Sequence, residues 1–409
     1  MSSSRGERSF CSMSDGGEMV EIGLERCVVD PPQLLRGARL GLVMNHASLD
    51  RDFRFACDVL AERFPGQLLA LFTPQHGFWG EAQANMIETP HASHTRLGVP
   101  MWSLYSDTRR PTPDMLRDLD CLIVDLQDVG TRVYTFVWTM LYCLEECGKL
   151  GIPVVVLDRP NPLGGEVVEG PVVDTAFRSF VGAAAVPLRH GMTIGELARL
   201  FNQELALGCR VEVVAMAGWR RSMLWPQTGR VWAPPSPNMP RFETAALYSG
   251  MVLLEGTNLS EGRGTTRPFE LFGAPFIDPD RLLARLRSYP LSGIRVTAST
   301  FRPTFDKWQG AVCGGATLHI VDTRSVRALE TTISLLAAVR SLWPSDFAWR
   351  SPPYEYEHER MPVDLLFGDS RLRERLSNPA ELDRAEIAEL ARADEADWHR
   401  RTRSALLYS

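Results

Sequence analysis

The sequence predicts an α/β fold built on a doubly wound parallel sheet, followed by a smaller α/β or α+β domain. Two observations carry this. Short apolar runs without polar/apolar alternation recur through the first half of the chain, as expected of strands covered on both faces. Helical patterns separate them, which gives a right-handed strand–helix–strand layout. A chain of 409 residues is also too long for one ordinary core, so two domains are expected.

The first strand is expected over residues 40–44, ending at Asn45-His46, and the second over 68–72, ending at Thr73-Pro-Gln-His-Gly77. A shorter third run covers 101–105. The fourth, 121–125, ends before Gln127 and Asp128, and the fifth, 153–157, ends at Asp158-Arg-Pro-Asn-Pro162. Helices are expected over 53–63, 112–119, 135–149 and 193–207, and a last strand over 211–216. Four prolines within residues 232–240 cannot continue a helix or an interior strand. The domain boundary is therefore set just after them, giving an N-terminal domain over 19–241 and a smaller one over 242–409. In the latter, helices are expected over 280–289, 325–342 and 380–398, and strands over 293–297 and 316–321. The Ser/Gly-rich residues 1–18 read as a disordered tail.

Composition excludes several classes. Hydrophobic residues are 44% and charged residues 23% of the chain, with a net charge of -6, which argues against sequence-independent nucleic-acid binding. No stretch approaches the ~18 apolar residues of a membrane span, and no signal-peptide pattern opens the sequence, so a cytoplasmic location without membrane partners is expected. Eight scattered cysteines without a CxxC pair fit buried free thiols in a reducing compartment. No metal-ligand spacing and no cofactor fingerprint is present: His91 and His94 stand without a nearby partner, no GxGxxG follows the first strand, and the Gly-rich segment 255–267 lacks the Walker A pattern. Oligomeric state is not legible.

Ligands of open α/β sheets bind beyond the carboxyl ends of the strands. The loops there hold Asn45, His46, Gln75, His76, Glu81, Tyr105, Asp125, Gln127, Asp128, Arg132, Asp158, Arg159 and Asn161, although capping and turn roles suit many of them equally. Glycoside hydrolysis needs two carboxyl groups flanking the scissile bond, and Glu81, Glu88, Asp125, Asp128, Glu166 and Glu169 are available for it. In the Gly-rich segment, Glu255, Glu261, Arg263 and Arg267 suggest a shaped, anion-holding loop.

Several strings resemble a known family, the bacterial exo-acting β-N-acetylmuramidases. They are Thr73-Pro-Gln-His-Gly-Phe-Trp-Gly80, Val124-Asp-Leu-Gln-Asp-Val-Gly-Thr-Arg-Val-Tyr-Thr135, Leu157-Asp-Arg-Pro-Asn-Pro-Leu-Gly-Gly165, Val168-Glu-Gly-Pro171, Leu188-Arg-His-Gly-Met-Thr-Ile-Gly-Glu-Leu197, Pro235-Ser-Pro-Asn-Met-Pro240 and the run from Leu254 to Glu270. The resemblance covers residue 37 to the C-terminus. It implies a Rossmann-like N-terminal domain, a cleft against the second domain, no cofactor, and release of N-acetylmuramic acid from the non-reducing end of peptidoglycan fragments. Without an export signal, imported muropeptide fragments are the expected substrate.

Of the carboxyls on these loops, Glu81, Asp128 and Glu169 are taken as the candidate catalytic ones. Asn45, Gln75, His76, Arg132, Tyr134, Asp158, Arg159, Asn161, His190, Asn238, Glu255, Asn258, Glu261 and Arg263, from the strand-end loops, the Gly-rich segment and the matching strings, are the candidate substrate contacts. An arginine fork, from Arg132, Arg263 or Arg267, would suit the substrate's lactyl carboxylate. One departure matters: similar chains often read Pro-Glu-His-Gly where this one has Gln75, and an amide cannot serve as the acid. Glu81 could supply the missing carboxyl, a pair such as Asp128 and Glu169 could act instead, or the chain could bind a sugar without hydrolysing it. A hydrolase of another carboxylated or N-acetylated sugar is the further alternative.

Overall fold

The computed structural model describes residues 19–83, 86–378 and 380–409; the tail expected over 1–18 lies outside them. The apolar runs form strands β1 (Leu40–Val43), β2 (Leu68–Thr73), β3 (Ala92–Ser93), β4 (Pro100–Ser103), β5 (Cys121–Val124) and β6 (Val154–Leu157). A separate antiparallel pair follows, β7 (Glu169–Val172) and β8 (Pro187–Arg189), and then β9 (Val211–Val214). Seven of these make one sheet in the order β3-β4-β2-β1-β5-β6-β9, parallel except for the short edge strand β3. The chain winds outward from β1 through β2 to β4, then returns to β5 on the other side of β1. The crevice between β1 and β5 is thus a topological switch point, where open sheets bind ligands.

Both faces of this sheet are covered. Leu40, Leu42, Leu71, Ile123, Val155 and Leu157 pack on one side with the helices Gly23–Val29 and Ala56–Arg63. Val43, Phe72, Leu122, Val124, Val154 and Val156 pack on the other, with helices Phe136–Leu150 and Ile194–Glu204. This two-sided burial is why the strands read as unbroken apolar runs.

Helix Phe242–Met251 starts two residues after the last proline of the Pro-rich segment. Beyond it, β10 (Leu271–Ala274), β11 (Ile294–Phe301) and β12 (Cys313–Ile320) form an antiparallel sheet in the order β10-β12-β11. Helices Pro279–Leu286 and Ala328–Leu342 pack with it. The second face of the large sheet and this C-terminal unit share one continuous apolar core. Helices Phe242–Met251 and Ala328–Leu342 approach to backbone contact: a Cβ on Gly250 would lie 2.1 Å from the Ala328 carbonyl oxygen.

Several elements are shorter than expected, the helix over 112–119 being only Pro113–Leu116, and two differ for a clear local reason. The helix expected over 53–63 begins only at Ala56, because Phe53 takes a left-handed conformation (φ 59°) in a turn. The helix expected over 380–398 is two helices, Arg384–Ala391 and Glu395–Thr402. The first run ends at Ala391, where Arg392 turns extended, and Asp394 starts the second, its side chain accepting a hydrogen bond from the Asp397 backbone N–H, as an N-cap does. The seven cysteines among the described residues are buried free thiols. No helix among them is long and apolar enough to cross a membrane.

Candidate functional site

A buried cavity lies between the carboxyl ends of β2 and β5 and the C-terminal unit. Its wall includes Gln75, His76, Tyr134, Thr135, Ser236, Asn238, Tyr248, Glu255, Arg263, Tyr354 and Glu355. The free volume is about 30 Å³, room for water and too little for a sugar ring, so a substrate must displace part of the wall.

The floor comes from the large sheet. The chain leaves β2 and turns back at His76 (φ 74°) and Gly77 (φ 76°). His76 Nδ1 lies 2.6 Å from the Ala82 carbonyl, so that nitrogen is the N–H donor and the other faces elsewhere. Burial lowers the His76 pKa to about 4, the Ala82 hydrogen bond opposing it. The ring is neutral at pH 7. Next to it the Thr135 hydroxyl, at the head of helix Phe136–Leu150, donates to Gln75 Oε1 at 2.7 Å. The Gln75 amide N–H₂ is thereby turned toward Glu355 Oε1, 3.4 Å away. Asn238 fixes the Pro-rich segment against the same loop through Nδ2 to the Gln83 carbonyl at 2.8 Å.

The roof comes from the C-terminal unit. The Gly-rich segment brings Glu255, Glu261 and Arg263 together. Arg263 Nη2 donates to Glu255 Oε1 at 2.7 Å, and Arg263 Nε lies 3.2 Å from Glu261 Oε1. Lys307 closes the far end, 2.8 Å from Glu261 Oε2. Tyr354 donates its hydroxyl to Glu255 Oε2 at 2.6 Å. Residues Tyr354 and Glu357 exchange backbone hydrogen bonds, both 2.9 Å, around a two-residue turn. At its tip Glu355 (φ 45°) and Tyr356 (φ 65°) are both left-handed, the backbone of a primed hairpin turn that ordinarily carries Asn or Gly. Strain of this kind costs on the order of 1 kcal/mol per residue and clusters at functional sites.

That turn thrusts the Glu355 side chain into the cavity, where it is 3% exposed. Tyr105, beyond the end of β4, donates its hydroxyl to Glu355 Oε2 at 2.8 Å. Burial pushes the Glu355 carboxyl up to about 7. Repulsion from Glu255 adds to the rise, while Tyr105, Gln75 and Arg109 oppose it. Two carboxyl side chains therefore face one cavity in different settings: Glu355 among neutral donors, Glu255 on a guanidinium. Glycoside hydrolysis needs two carboxyls about one bond, and these two face one cavity with different partners.

The structure brings Gln75, His76, Tyr134, Asn238, Glu255 and Arg263 of the sequence-derived candidates to this cavity, with Glu261 one layer behind Arg263. The others hold the frame. Asn45 Nδ2 binds the Pro235 carbonyl at 2.8 Å. Asp158 accepts from Thr193, Gly195 and Tyr408. Arg159 forms a two-pronged pair with Asp125, at 2.5 and 2.8 Å. Asn161 links the Leu163 N–H to the Met192 carbonyl, and Asn258 links the Asp346 carbonyl to the Ala348 N–H. Arg132 is fully buried and donates to the carbonyls of Pro171, Val186 and Leu366.

None of the three candidate catalytic carboxyls lines the cavity. Glu81 is exposed at the surface of its loop. Asp128 accepts from the Gly130 N–H at 2.7 Å and faces His190 Nε2 at 3.3 Å. Glu169 pairs with Arg189 at 3.1 Å. Sequence reasoning did not single out Glu355, Tyr354, Tyr248 or Ser236. Their one available signal was a polar-aromatic string, Tyr354-Glu-Tyr-Glu357, directly after Pro352-Pro353, the composition of a turn rather than of a helix or strand.

A larger cavity, about 170 Å³, lies across the Pro-rich segment and is lined by Gln127, Arg159, Trp225 and Arg230. Its buried arginines are already engaged by Asp125 and Glu25, and it presents no pair of carboxyls suited to glycoside chemistry. No group of three or more potential metal ligands occurs among the described residues.

Family models described as exo-beta-N-acetylmuramidase NamZ, N-terminal and C-terminal, match residues 40–243 and 246–408. The peptidoglycan beta-N-acetylmuramidase NamZ of Bacillus subtilis (strain 168) is 42% identical over 359 residues, 88% of this chain and 84% of that protein. Crystal structures of two DUF1343 family proteins from Bacteroides fragilis NCTC 9343 share the fold. One superposes with a TM-score of 0.84 at 32% identity, covering 96% of this chain and 99% of its own. The other has a TM-score of 0.74 at 28% identity, with the same coverage. On the match of both family models and of this relative along most of its length, the chain belongs to the exo-beta-N-acetylmuramidase NamZ family.

Proposed function

We propose that the chain is an exo-acting glycoside hydrolase that releases N-acetylmuramic acid from the non-reducing end of peptidoglycan fragments. The observation that carries this reading is the convergence of Glu255 and Glu355 on one cavity, in a chain of this family. The remaining wall suits a sugar: amides from Gln75 and Asn238 and hydroxyls from Tyr134, Tyr248 and Ser236 can hydrogen-bond hydroxyl and N-acetyl groups. Burial holds the Tyr248 phenol well above its ordinary pKa, so it meets substrate as a neutral donor.

The arginine for the lactyl carboxylate is Arg263 in this reading. Arg132 is engaged by three carbonyls and Arg267 is exposed. Arg263 lines the cavity, and its Nη1 has no protein acceptor among the described residues. The test is turnover of a chromogenic N-acetylmuramic acid glycoside and of the disaccharide with N-acetylglucosamine at the reducing side. Release of free N-acetylmuramic acid one unit at a time is expected. No turnover of either compound, or cleavage only inside long glycan strands, would overturn the proposal.

A further inference from the structure

We propose that Glu355, carried on the Tyr354–Glu357 turn of the C-terminal unit, donates the proton to the glycosidic oxygen, and that Gln75 and Tyr105 are positioning residues holding its two oxygens. This inference rests on the hydrolase reading above. It answers what the amide at position 75 leaves open: where the acid is when that loop has none.

The geometry points one way. The Thr135 hydroxyl fixes Gln75 Oε1 at 2.7 Å, so the amide nitrogen, and not its oxygen, faces Glu355 Oε1 at 3.4 Å. Tyr105 holds Oε2 at 2.8 Å. A carboxyl at position 75 would set oxygen against oxygen over that same gap, and two carboxyls so close share one proton. With glutamine there, Glu355 keeps the proton alone. Two left-handed non-glycine residues at the tip of its turn are tolerated only where something else fixes the conformation. Here Tyr356 is held from the opposite unit, stacked under the Arg109 guanidinium at 3.7 Å and bonded to Glu88 at 3.0 Å. A carboxyl that burial lifts to about 7 is about half protonated at neutral pH and can both hold and release a proton there. The carboxyls on the loop after β2, Glu81 and Glu88, are both exposed.

The step balances as follows. The C1–O bond breaks and its electron pair stays on the leaving oxygen, which takes the Glu355 proton and departs as an alcohol. Water supplies the new C1–O bond, and the proton it loses restores the Glu355 carboxyl, directly or through exchange with solvent.

The test compares wild type with Glu355→Gln on two substrates: the disaccharide, whose leaving alcohol needs a proton, and a 2,4-dinitrophenyl glycoside, whose leaving group does not. The expected loss is about 10²–10⁴-fold on the disaccharide and less than about tenfold on the dinitrophenyl glycoside. Equal losses on both, or none on the disaccharide, would overturn the assignment while leaving the hydrolase reading intact. Inactivity of the wild type on every muramyl substrate would remove both.

A pH profile provides the second arm. The groups around Glu355 are Tyr105 and Arg109 beyond β4, Glu255, Arg263 and Tyr248 in the roof, and Tyr354 and Tyr356 beside it. The alkaline limb of kcat/KM for wild type is expected near 7. It should move to higher pH in Tyr105→Phe, which loses a donor to the carboxylate, and in Gln75→Glu, which gains a second negative charge. An unmoved limb in both variants would overturn the positioning roles.

Discussion

A buried acid should leave a thermodynamic trace that can be read without any substrate. Glu355 has an ordinary value of 4.5 and is raised to about 7 in the folded chain. The folded state therefore holds this proton more tightly than the unfolded state. Its contribution to stability is full below about 4.5 and is lost as pH rises through about 7. At 1.36 kcal/mol per pH unit, the loss is on the order of 3 kcal/mol. Glu355→Gln keeps the shape and removes the titration. Glutamine cannot accept at both ends as the carboxyl does, so the variant starts with a fixed deficit that pH does not change. Scanning calorimetry of both proteins at pH 5 and pH 9 should show the variant gaining on wild type as pH rises. Unfolding entropy grows with chain length, so for a chain unfolding as one unit the relative gain is about 4 °C in Tm. A difference between the two proteins that stays constant from pH 5 to pH 9 would refute the reasoning, because it would mean that Glu355 titrates alike in the folded and unfolded chain.

Three further outcomes test other parts of the frame. Asp125→Ala leaves the buried Arg159 guanidinium without its carboxylate and should destabilise the fold by about 3–5 kcal/mol, measured by urea denaturation; a loss below about 1 kcal/mol would contradict the burial. Arg132→Lys cannot span the carbonyls of Pro171, Val186 and Leu366 and should lower stability by about 2 kcal/mol or more. KM for lactyl-bearing substrates should stay near wild type, and a selective rise in it would return Arg132 to the binding site. Thr135→Val frees the Gln75 amide to rotate and should lower kcat about tenfold with little change in KM, with Thr135→Ser restoring it; equal activity in the valine variant would mean that Gln75 is oriented by other contacts.

The sequence disclosed the large sheet because its strands are covered on both sides. Leu40, Leu42 and Val43, or Leu122, Ile123 and Val124, are apolar at every step since successive side chains enter two different cores. Strands β7 and β8 gave no such signal: they form a two-stranded ribbon bearing Glu169, Gly170, Pro171 and Arg189, a composition shared with loops. Helix periodicity carried past the break at Arg392–Asp394 because an N-cap aspartate reads, in sequence, as one polar residue among several. At the site, the strand-end rule pointed to the loop with Gln75 and His76, which lines the cavity, for a reason of chain topology. It could not select atoms. Asp128 and Asp125 stand on strand-end loops too, yet the folded chain couples them to the Gly130 N–H and to Arg159. Glu355 was invisible to the rule, since it reaches the β2 loop from 280 residues away along the chain.

That distance has a consequence for how the site works. The large sheet supplies Gln75, His76, Tyr134 and Thr135, which are amide, imidazole and hydroxyl groups. The C-terminal unit supplies both carboxyls and the guanidinium. Neither unit alone holds a proton donor together with its positioning groups. The wall leaves only about 30 Å³; were the Tyr354–Glu357 turn the part that draws back for a sugar, the hydrogen bonds from Gln75 and Tyr105 would break and form again as the turn returned. Such a closing would do two things at once: remove water from around the bond, and bury the carboxyl whose pKa burial raises. An acid on the β2 loop itself would stay in the floor whether the turn was open or shut. An acid carried on the roof would become competent only with the roof down, which would tie proton transfer to the enclosed state.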